Sequence, residues 1–386
     1  MAHIFFDHNS TTALRPQVLE SMLPFMVEQQ GNATSRHSYG RTARAAVEHA
    51  REQVADAVNA HPSQVIFTAS GTEANNFAVL GITTNLGHGQ ILISAVEHPC
   101  VSRPALAMQS RGWQALQIGV NPDCSLDMHH LHNLLSTPTN LVSVMLVNNE
   151  TGAIQDLPAI ADLAIQNKAF VHSDAVQALG KIPVNFADLN VHALTVSSHK
   201  IGGPLGAGAL IMDKRLDIQP LLHGGGQEKG LRSGTENLAA IVGFGAACEL
   251  AIKDLKAFAE HTKKLRDLCE VGLVKLGAHL FASHSSTDDA KRVSNTSFFA
   301  FPNIDGETLV MALDRKGFAV ASGSACSSDS GKPSHVLLAM GVEAELARGA
   351  LRVSFGLSNT IEQVRQFLTV LENELIRLRG LVAIPV

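Results

Sequence analysis

The sequence has no Cys-x-x-Cys pair, no His-Glu-x-x-His signature and no uninterrupted apolar run of membrane-spanning length. Its five cysteines (Cys100, Cys124, Cys248, Cys269 and Cys326) are odd in number and widely spread, which indicates neither a disulfide framework nor a zinc knuckle. The 18 histidines include no recognisable ligand spacing, and Met128 to His132 reads as a polar helical stretch rather than a metal site. Basic charge is also in short supply. Thirty Lys and Arg against 35 Asp and Glu leave a formal net charge of -5, and no local basic run supplies the field that nucleic acid or an acidic membrane surface requires. Met1 to Asp7 lacks the basic segment followed by an apolar stretch that marks a secretory signal, so the expected location is the cytoplasm and the expected ligand is small. No internal repeat or low-complexity tract occurs.

With 386 residues, 45% of them hydrophobic, the chain can bury a sizeable core and is long enough for two or three domains. Strand-like runs at Gln90 to Ala95, Ala115 to Val120, Leu141 to Val147, Ala169 to Ser173, Ala193 to Val196 and Ala207 to Ile211 alternate with helical patterns. That alternation predicts an α/β architecture with a mainly parallel sheet flanked by helices, whose binding sites gather where strands end in loops. Arg41 to Ala60 reads as one amphipathic helix, after a polar loop over Gly31 to Gly40. From about Glu260 the pattern changes to a helix over Lys264 to Ala278 and strands at Ser294 to Ala300, Ala319 to Ser322 and Leu351 to Phe355. The expected division is a large α/β domain over residues 14–260 and a smaller α+β domain made of residues 1–13 and 261–386.

Two stretches carry chemistry. In Gln64 to Leu80 a β-type run meets the turn Ser70-Gly71-Thr72 and then an apolar-periodic helix. Unpaired backbone N–H groups and the helix dipole there form an anion site, on which Gly71 and Thr72 can hold phosphate. It is neither a Walker loop nor Gly-x-Gly-x-x-Gly. In Val196 to Leu210, Lys200 stands in a glycine-rich turn beside Ser197 and His199. A partly desolvated lysine there has a lowered pKa, and its neutral amine can form a Schiff base with an aldehyde cofactor such as pyridoxal phosphate, while Ser197 and His199 hold phosphate oxygens. Taken singly, such segments are more often ordinary turns and caps. The company they keep argues otherwise: Asp174 can keep a pyridine nitrogen protonated, Gln177 and Asn149 can hydrogen-bond the ring oxygen, His98 can stack on the ring, and Arg352 can grip a carboxylate through two bonds.

These residues sit in motifs that resemble, nearly end to end, the pyridoxal phosphate-dependent cysteine desulfurases of the NifS/IscS type, in the class V aminotransferase group of fold type I enzymes. The resemblance is carried by Ser70 to Asn76, Glu97-His98-Pro99, Asn148 to Gly152, Asp174 to Gln177, Ser197 to Pro204, Gly224 to Asn237 and Ala321 to Ser328, in that order. It implies Lys200 as the Schiff-base lysine, and Gly71, Thr72, Ser197 and His199 at the phosphate. It implies Thr235 reaching the phosphate of a neighbouring subunit, hence a homodimer. It also implies Cys326, among small residues, as the thiol that takes sulfur from L-cysteine as a persulfide, leaving L-alanine. The spacing from Cys326 to Pro333 resembles the long-loop, group I members, which hand sulfur to acceptor proteins. His98 is then either the acid/base near the substrate thiol or a ring-stacking residue. Many relatives carry Lys or Arg at Leu205 and Tyr at Gly202 or Gly203. The sequence ends at Val386 without the C-terminal extension on which iron–sulfur scaffolds dock in some relatives, so cluster assembly, tRNA thiolation and DNA sulfur modification all remain open. A selenocysteine lyase or aminotransferase of the same fold, and a non-catalytic sulfur relay, are the alternatives.

Overall fold

A computed structural model describes residues 3–282, 291–323 and 332–382. Its strands are β1 (Ile4–Phe5), β2 (Val65–Thr68), β3 (Gln90–Ser94), β4 (Gln114–Ile118), β5 (Thr139–Ser143), β6 (Phe170–Asp174), β7 (Ala193–Ser197), β8 (Gly208–Met212), β9 (His279–Leu280), β10 (Thr296–Ala300), β11 (Phe318–Ala319), β12 (Ala321–Ser322) and β13 (Ala350–Ser354).

Seven of these form one sheet in the order β2-β8-β7-β6-β5-β3-β4. All of its strands run parallel except β8, which is antiparallel to both neighbours. Its central strands are apolar on both faces because helices cover both. Leu92, Val142 and Leu194 pack with Val47, Ile160 and Phe244 on one side, while Ile91, Ile93, Leu141 and Ala193 pack with Phe77, Ile82 and Val101 on the other. The helices concerned are Ser38–Ala57, Leu157–Gln166 and Leu238–Lys253 on the first face, and Gly71–Thr84 and Pro99–Ala107 on the second.

A second sheet has the order β12-β13-β10-β9. Here period-two alternation decides what faces the site. Phe299, Phe301, Leu351, Val353 and Phe355 pack against helices Leu255–Lys275, Gly306–Arg315 and Ile361–Val382. Phe298, Ala300 and Ala350 therefore point the opposite way and share a cluster with Val96 and Met145, which follow β3 and β5 of the large sheet. Arg352, between Leu351 and Val353 and paired with Phe298, is on that inward side too. β1 pairs in parallel with β11, so the N-terminal segment starts beside the second sheet before crossing to the first.

Four boundaries differ from the sequence expectation. The helix expected over Arg41 to Ala60 runs Ser38–Ala57, because His37 accepts the N–H of Gly40 and starts it early, and Asn59 at φ 49° ends it. The polar loop before it is correspondingly shorter. The helix expected over Lys264 to Ala278 runs Leu255–Lys275, stopped by Gly277 at φ 86°. Ala319 to Ser322 is not one strand; it breaks at Val320, one half pairing with β1 and the other with β13. Beyond β5, residues 144–147 leave the ladder while Val144 and Leu146 still donate to the carbonyls of His172 and Asp174. Among the described residues no helix is long and apolar enough to cross a membrane.

The glycine-rich stretch after β8 is tied down by a buried ion pair. Arg51 forms two 2.7 Å bonds to the carboxylate of Glu228, donates to the carbonyl of Val65 and lies 4.9 Å from the Phe67 ring centroid, while Phe67 N–H donates to Glu228. Removing one partner strands a buried charge, which costs far more than the pair's net contribution. Arg51→Ala is therefore expected to destabilise the protein by about 3–5 kcal/mol, read as a lower urea midpoint. An unchanged midpoint would show that the pair carries no such constraint.

Candidate active site

The carboxyl ends of β3, β5, β6 and β7 open onto one cleft of about 370 Å³, where open α/β sheets place ligands. Gly71, Thr72, His98, Asn149, Asp174, Gln177, Ser197, His199, Lys200 and Arg352 all line it, together with Asn9, Ser10, Asn75, Cys100 and Met145. Thr235 is not among its lining residues and is exposed on this chain. Cys326 lies outside the described residues.

One end of the cleft is an anion cup. Helix Gly71–Thr84 starts there, capped by Ser70, whose hydroxyl accepts the N–H of Glu73 at 3.1 Å. Its remaining first-turn N–H groups have no intrahelical acceptor. The cup is kept open by missing side chains: a Cβ at Gly71 would come within 3.0 Å of Val176, and one at Gly208 within 2.6 Å of Ser70's backbone. Ser197 Oγ is buried against this cup without any protein partner. Glu73 also binds Arg232 at 2.7 Å, which ties the Gly224–Asn237 stretch to the cup. A phosphate group fits this donor set.

The other end holds a buried acid. Asp174, the last residue of β6, accepts from Asn75 Nδ2 at 2.7 Å and from Val176 N–H at 2.9 Å. Burial pushes its carboxyl up, against the pull of the Val176 N–H, His98, Asn75 and Lys200. His98 caps the next helix. Its Nδ1 accepts the N–H of Cys100 and lies 2.8 Å from the Cys100 sulfur, so the ring's own proton resides on Nε2. Burial, and then Lys200, hold this imidazole neutral by lowering its pKa, although Asp174 opposes them. His199 is pushed down to about 4 by burial and by Lys200. Burial, and then Asp174, drive the Glu97 carboxyl behind the cleft well up, against the pull of the Met145 N–H.

Lys200 sits on a single 3-10 turn, Ser198–Lys200, directly after β7. Its ammonium donates to the backbone carbonyls of Asn9 (2.7 Å) and Ser10 (2.6 Å). Asn9 and Lys181 were not anticipated from sequence. Asn9 has no local pattern to mark it, whereas Lys181 stands at the helical i,i+4 spacing from Gln177. Arg352 donates to Asn149's carbonyl at 2.8 Å and to Asp7 at 2.7 Å, while its Nε is buried without a partner. The guanidinium is thus aimed into the cleft with donor capacity left over.

Both roots of the segment carrying Cys326 are anchored beside this cleft. On one side Ala321 pairs with Arg352 and Gly323 N–H donates to Ala350. On the other, Ser334 donates to Glu150 and His335 Nε2 lies 3.0 Å from the Glu97 carbonyl. Among the described residues no group of three or more His, Cys, Asp or Glu could hold a metal ion.

The aminotransferase class-V family model matches residues 4–367. The chain is 38% identical over 380 residues to cysteine desulfurase IscS of Methanosarcina thermophila, covering 98% of this chain and 93% of that one. Among solved structures, a NifS-like protein superposes with a TM-score of 0.90 at 36% identity, covering 97% and 99% of the two chains. SspA in complex with cysteine superposes with a TM-score of 0.78 at 28% identity, covering 92% and 99%. With its mainly parallel sheet, its cleft at the strand ends and a family match spanning nearly the whole sequence, this chain belongs to the aminotransferase class-V family.

Proposed function

We propose that this chain is an L-cysteine desulfurase that holds pyridoxal phosphate at Lys200, acts as a homodimer and passes the sulfur it removes to an acceptor protein. The observation that carries this reading is one cleft in which a lysine, a buried acid, an anion cup and an inward-facing arginine converge. The relatives named cysteine desulfurase and the neighbour solved with cysteine supply the substrate. When bound, pyridoxal phosphate supplies an electron sink for the substrate's α-carbon.

Gly71, Thr72, Ser197 and His199 would hold the phosphate, and the Ser197 hydroxyl is buried in the cleft without a protein partner. Asp174 would keep a proton at the ring nitrogen, Asn149 and Gln177 would bond the ring oxygen, and Arg352 with Asn149 would orient the substrate carboxylate. Lys200 carries the α-proton. His98, neutral and with Nδ1 occupied, covers the ring and can exchange a proton at the substrate thiol. The Cys326 thiolate attacks the substrate sulfur, the S–S bond forming as the C–S bond breaks. The carbon then takes a proton to give alanine. Thr235, exposed on its own chain, reaches the phosphate of the partner's site.

The two sheets with their separate apolar clusters support a large domain over 14–260 and a small one over 1–13 and 261–386. The acceptor is a scaffold or thiolation enzyme, and the site is cytoplasmic. Incubating purified protein with L-cysteine and pyridoxal phosphate tests the function: alanine and protein-bound persulfide are expected, whereas a keto acid would reveal an aminotransferase.

Borohydride treatment of the wild type should fix a pyridoxyl mass on Lys200, and Lys200→Ala should retain none after denaturation. Mass on another residue would sink the assignment. Mixing Lys200→Ala with Thr235→Ala is expected to restore part of the activity each lacks, because one hybrid site carries neither defect. No recovery despite demonstrated subunit exchange counts against a shared site. Cys326→Ser should bind cofactor and cysteine normally yet lose persulfide and lower alanine release by two orders of magnitude or more, since a hydroxyl is far too weakly acidic to supply the nucleophile, roughly 10²-fold being the least such a loss costs. Full alanine production by Cys326→Ser would leave a lyase standing instead.

A further inference from the structure

Lys181 lies behind the cleft, buried, and no role is yet attached to it. It follows Gln177 by four residues in a helical turn in which Leu179 N–H donates to Ala175 and Ile182 N–H to Ala178. Its Nζ donates to Gln177 Oε1 and, at 2.8 Å, to Asn9 Oδ1. Both acceptors are fixed as oxygens by what surrounds them. Asn9 Nδ2 is spent on the Asn149 carbonyl and Thr296 Oγ1, and Asn9 Oδ1 also accepts from Asn295, so the Asn9 amide cannot be turned around. Gln177 Nε2 donates at 2.8 Å to the Asn9 carbonyl, which can only accept.

A glutamine amide has one accepting and one donating end, and which end meets a ligand depends on what holds the other. With Oε1 on Lys181, Gln177 must present nitrogen toward the cleft it lines. One of its two N–H bonds goes to Asn9; the other remains for a ligand. The Asn9 carbonyl alone holds that orientation weakly, because it is shared with Lys200, whose own bond to it competes. The geometry points to Lys181 as a positioning residue that locks Gln177 as a donor, and not an acceptor, toward the ionised ring oxygen of the bound cofactor. This rests on the pyridoxal phosphate reading above and deepens it. Burial, followed by Lys200 and Arg352, lowers the Lys181 pKa well below that of a free lysine, but even the neutral amine retains two N–H bonds for its two oxygen acceptors.

The consequence is spectroscopic. A donor on the ionised ring oxygen stabilises it, whereas a flipped glutamine would set a carbonyl against it. In wild-type protein loaded with pyridoxal phosphate, the visible absorption of the bound cofactor should change with pH at a definite midpoint. Lys181→Met should raise that midpoint by about one unit, the shift expected on losing one hydrogen bond to an ionised group. Lys181→Arg, which keeps donors for both oxygens, should stay near wild type. Gln177→Leu should also raise the midpoint, and adding Lys181→Met to it should move the midpoint no further, because the lysine then has nothing to orient. A Lys181→Met shift that persists in the Gln177→Leu background would show that Lys181 acts only as a charge, and no shift in the single variant would show that it does nothing to the site; either overturns the proposal. If Lys181→Met fails to yield folded protein, judged by the thermal midpoint of the cofactor-free form, Lys181→Leu, which likewise carries no donor, is read in the same way. A wild type that takes up no pyridoxal phosphate would overturn the cofactor reading and this one with it.

Discussion

A single buried amide, Asn9, holds the two sheets in one arrangement. All its polar atoms are occupied: the N–H by Ser354 Oγ, the carbonyl by Gln177 and Lys200, Nδ2 by the Asn149 carbonyl and Thr296, and Oδ1 by Lys181 and Asn295. Three of those partners belong to the small sheet or its edge, and four to the ends of the large sheet's strands. A buried polar group left unsatisfied costs about 1–3 kcal/mol, so each of these bonds strongly disfavours arrangements in which the sheets shift apart. The N-terminal segment is thus more than a lead-in. It is the connection that holds both the small sheet's Arg352, through the Asp7 carboxylate, and the large sheet's Lys200, through the carbonyls of Asn9 and Ser10.

The charges in the cleft follow from that enclosure. Burial disfavours every ionised group, so it pushes the Glu97 carboxyl well up, and the His98, His199 and His172 imidazoles down, His98 against the pull of Asp174. Groups with polar partners remain poised. Asp174 has Asn75, the Val176 N–H, His98 and Lys200 pulling its carboxyl back toward ionisation, and Arg352 has Asp7. The outcome is a buried cleft in which Asp174, Lys200 and Arg352 face the same space. Such an arrangement strengthens every interaction with a bound anion or cation, because little water remains to screen it.

The fold was legible because its signals are of the kind that a single sequence carries. The large sheet's strands are short apolar runs buried on both faces, and each was located within a few residues; the motif turns after them placed the cleft's lining. What was not legible depends on contacts distant in sequence. Val320 looks like the middle of a strand, and only the choice of different partners for Ala319 and Ala321 breaks it. Helix Ser38–Ala57 begins earlier than its apolar pattern because a histidine cap, not a hydrophobic residue, sets its start. Asn9 offers no periodic pattern at all. Its partners lie between 140 and 345 positions away along the chain, and nothing local announces them.

The division of labour between the sheets also explains why the site needs both. Lys200 and Asp174 are set by adjacent strands β7 and β6, so their positions are tied to the large sheet. Arg352 and the start of the Cys326 segment are set by the paired strands β13 and β12, with Ala321 directly opposite Arg352. In the proposed reaction the group that grips the substrate's carboxylate therefore belongs to one strand pair, and the groups facing its α-carbon to another. Small errors in the placement of reacting atoms cost large factors in rate. The anchoring of both frames on Asn9, and of Ser334 and His335 on Glu150 and Glu97 beyond the carboxyl ends of β5 and β3, keeps the two references in register.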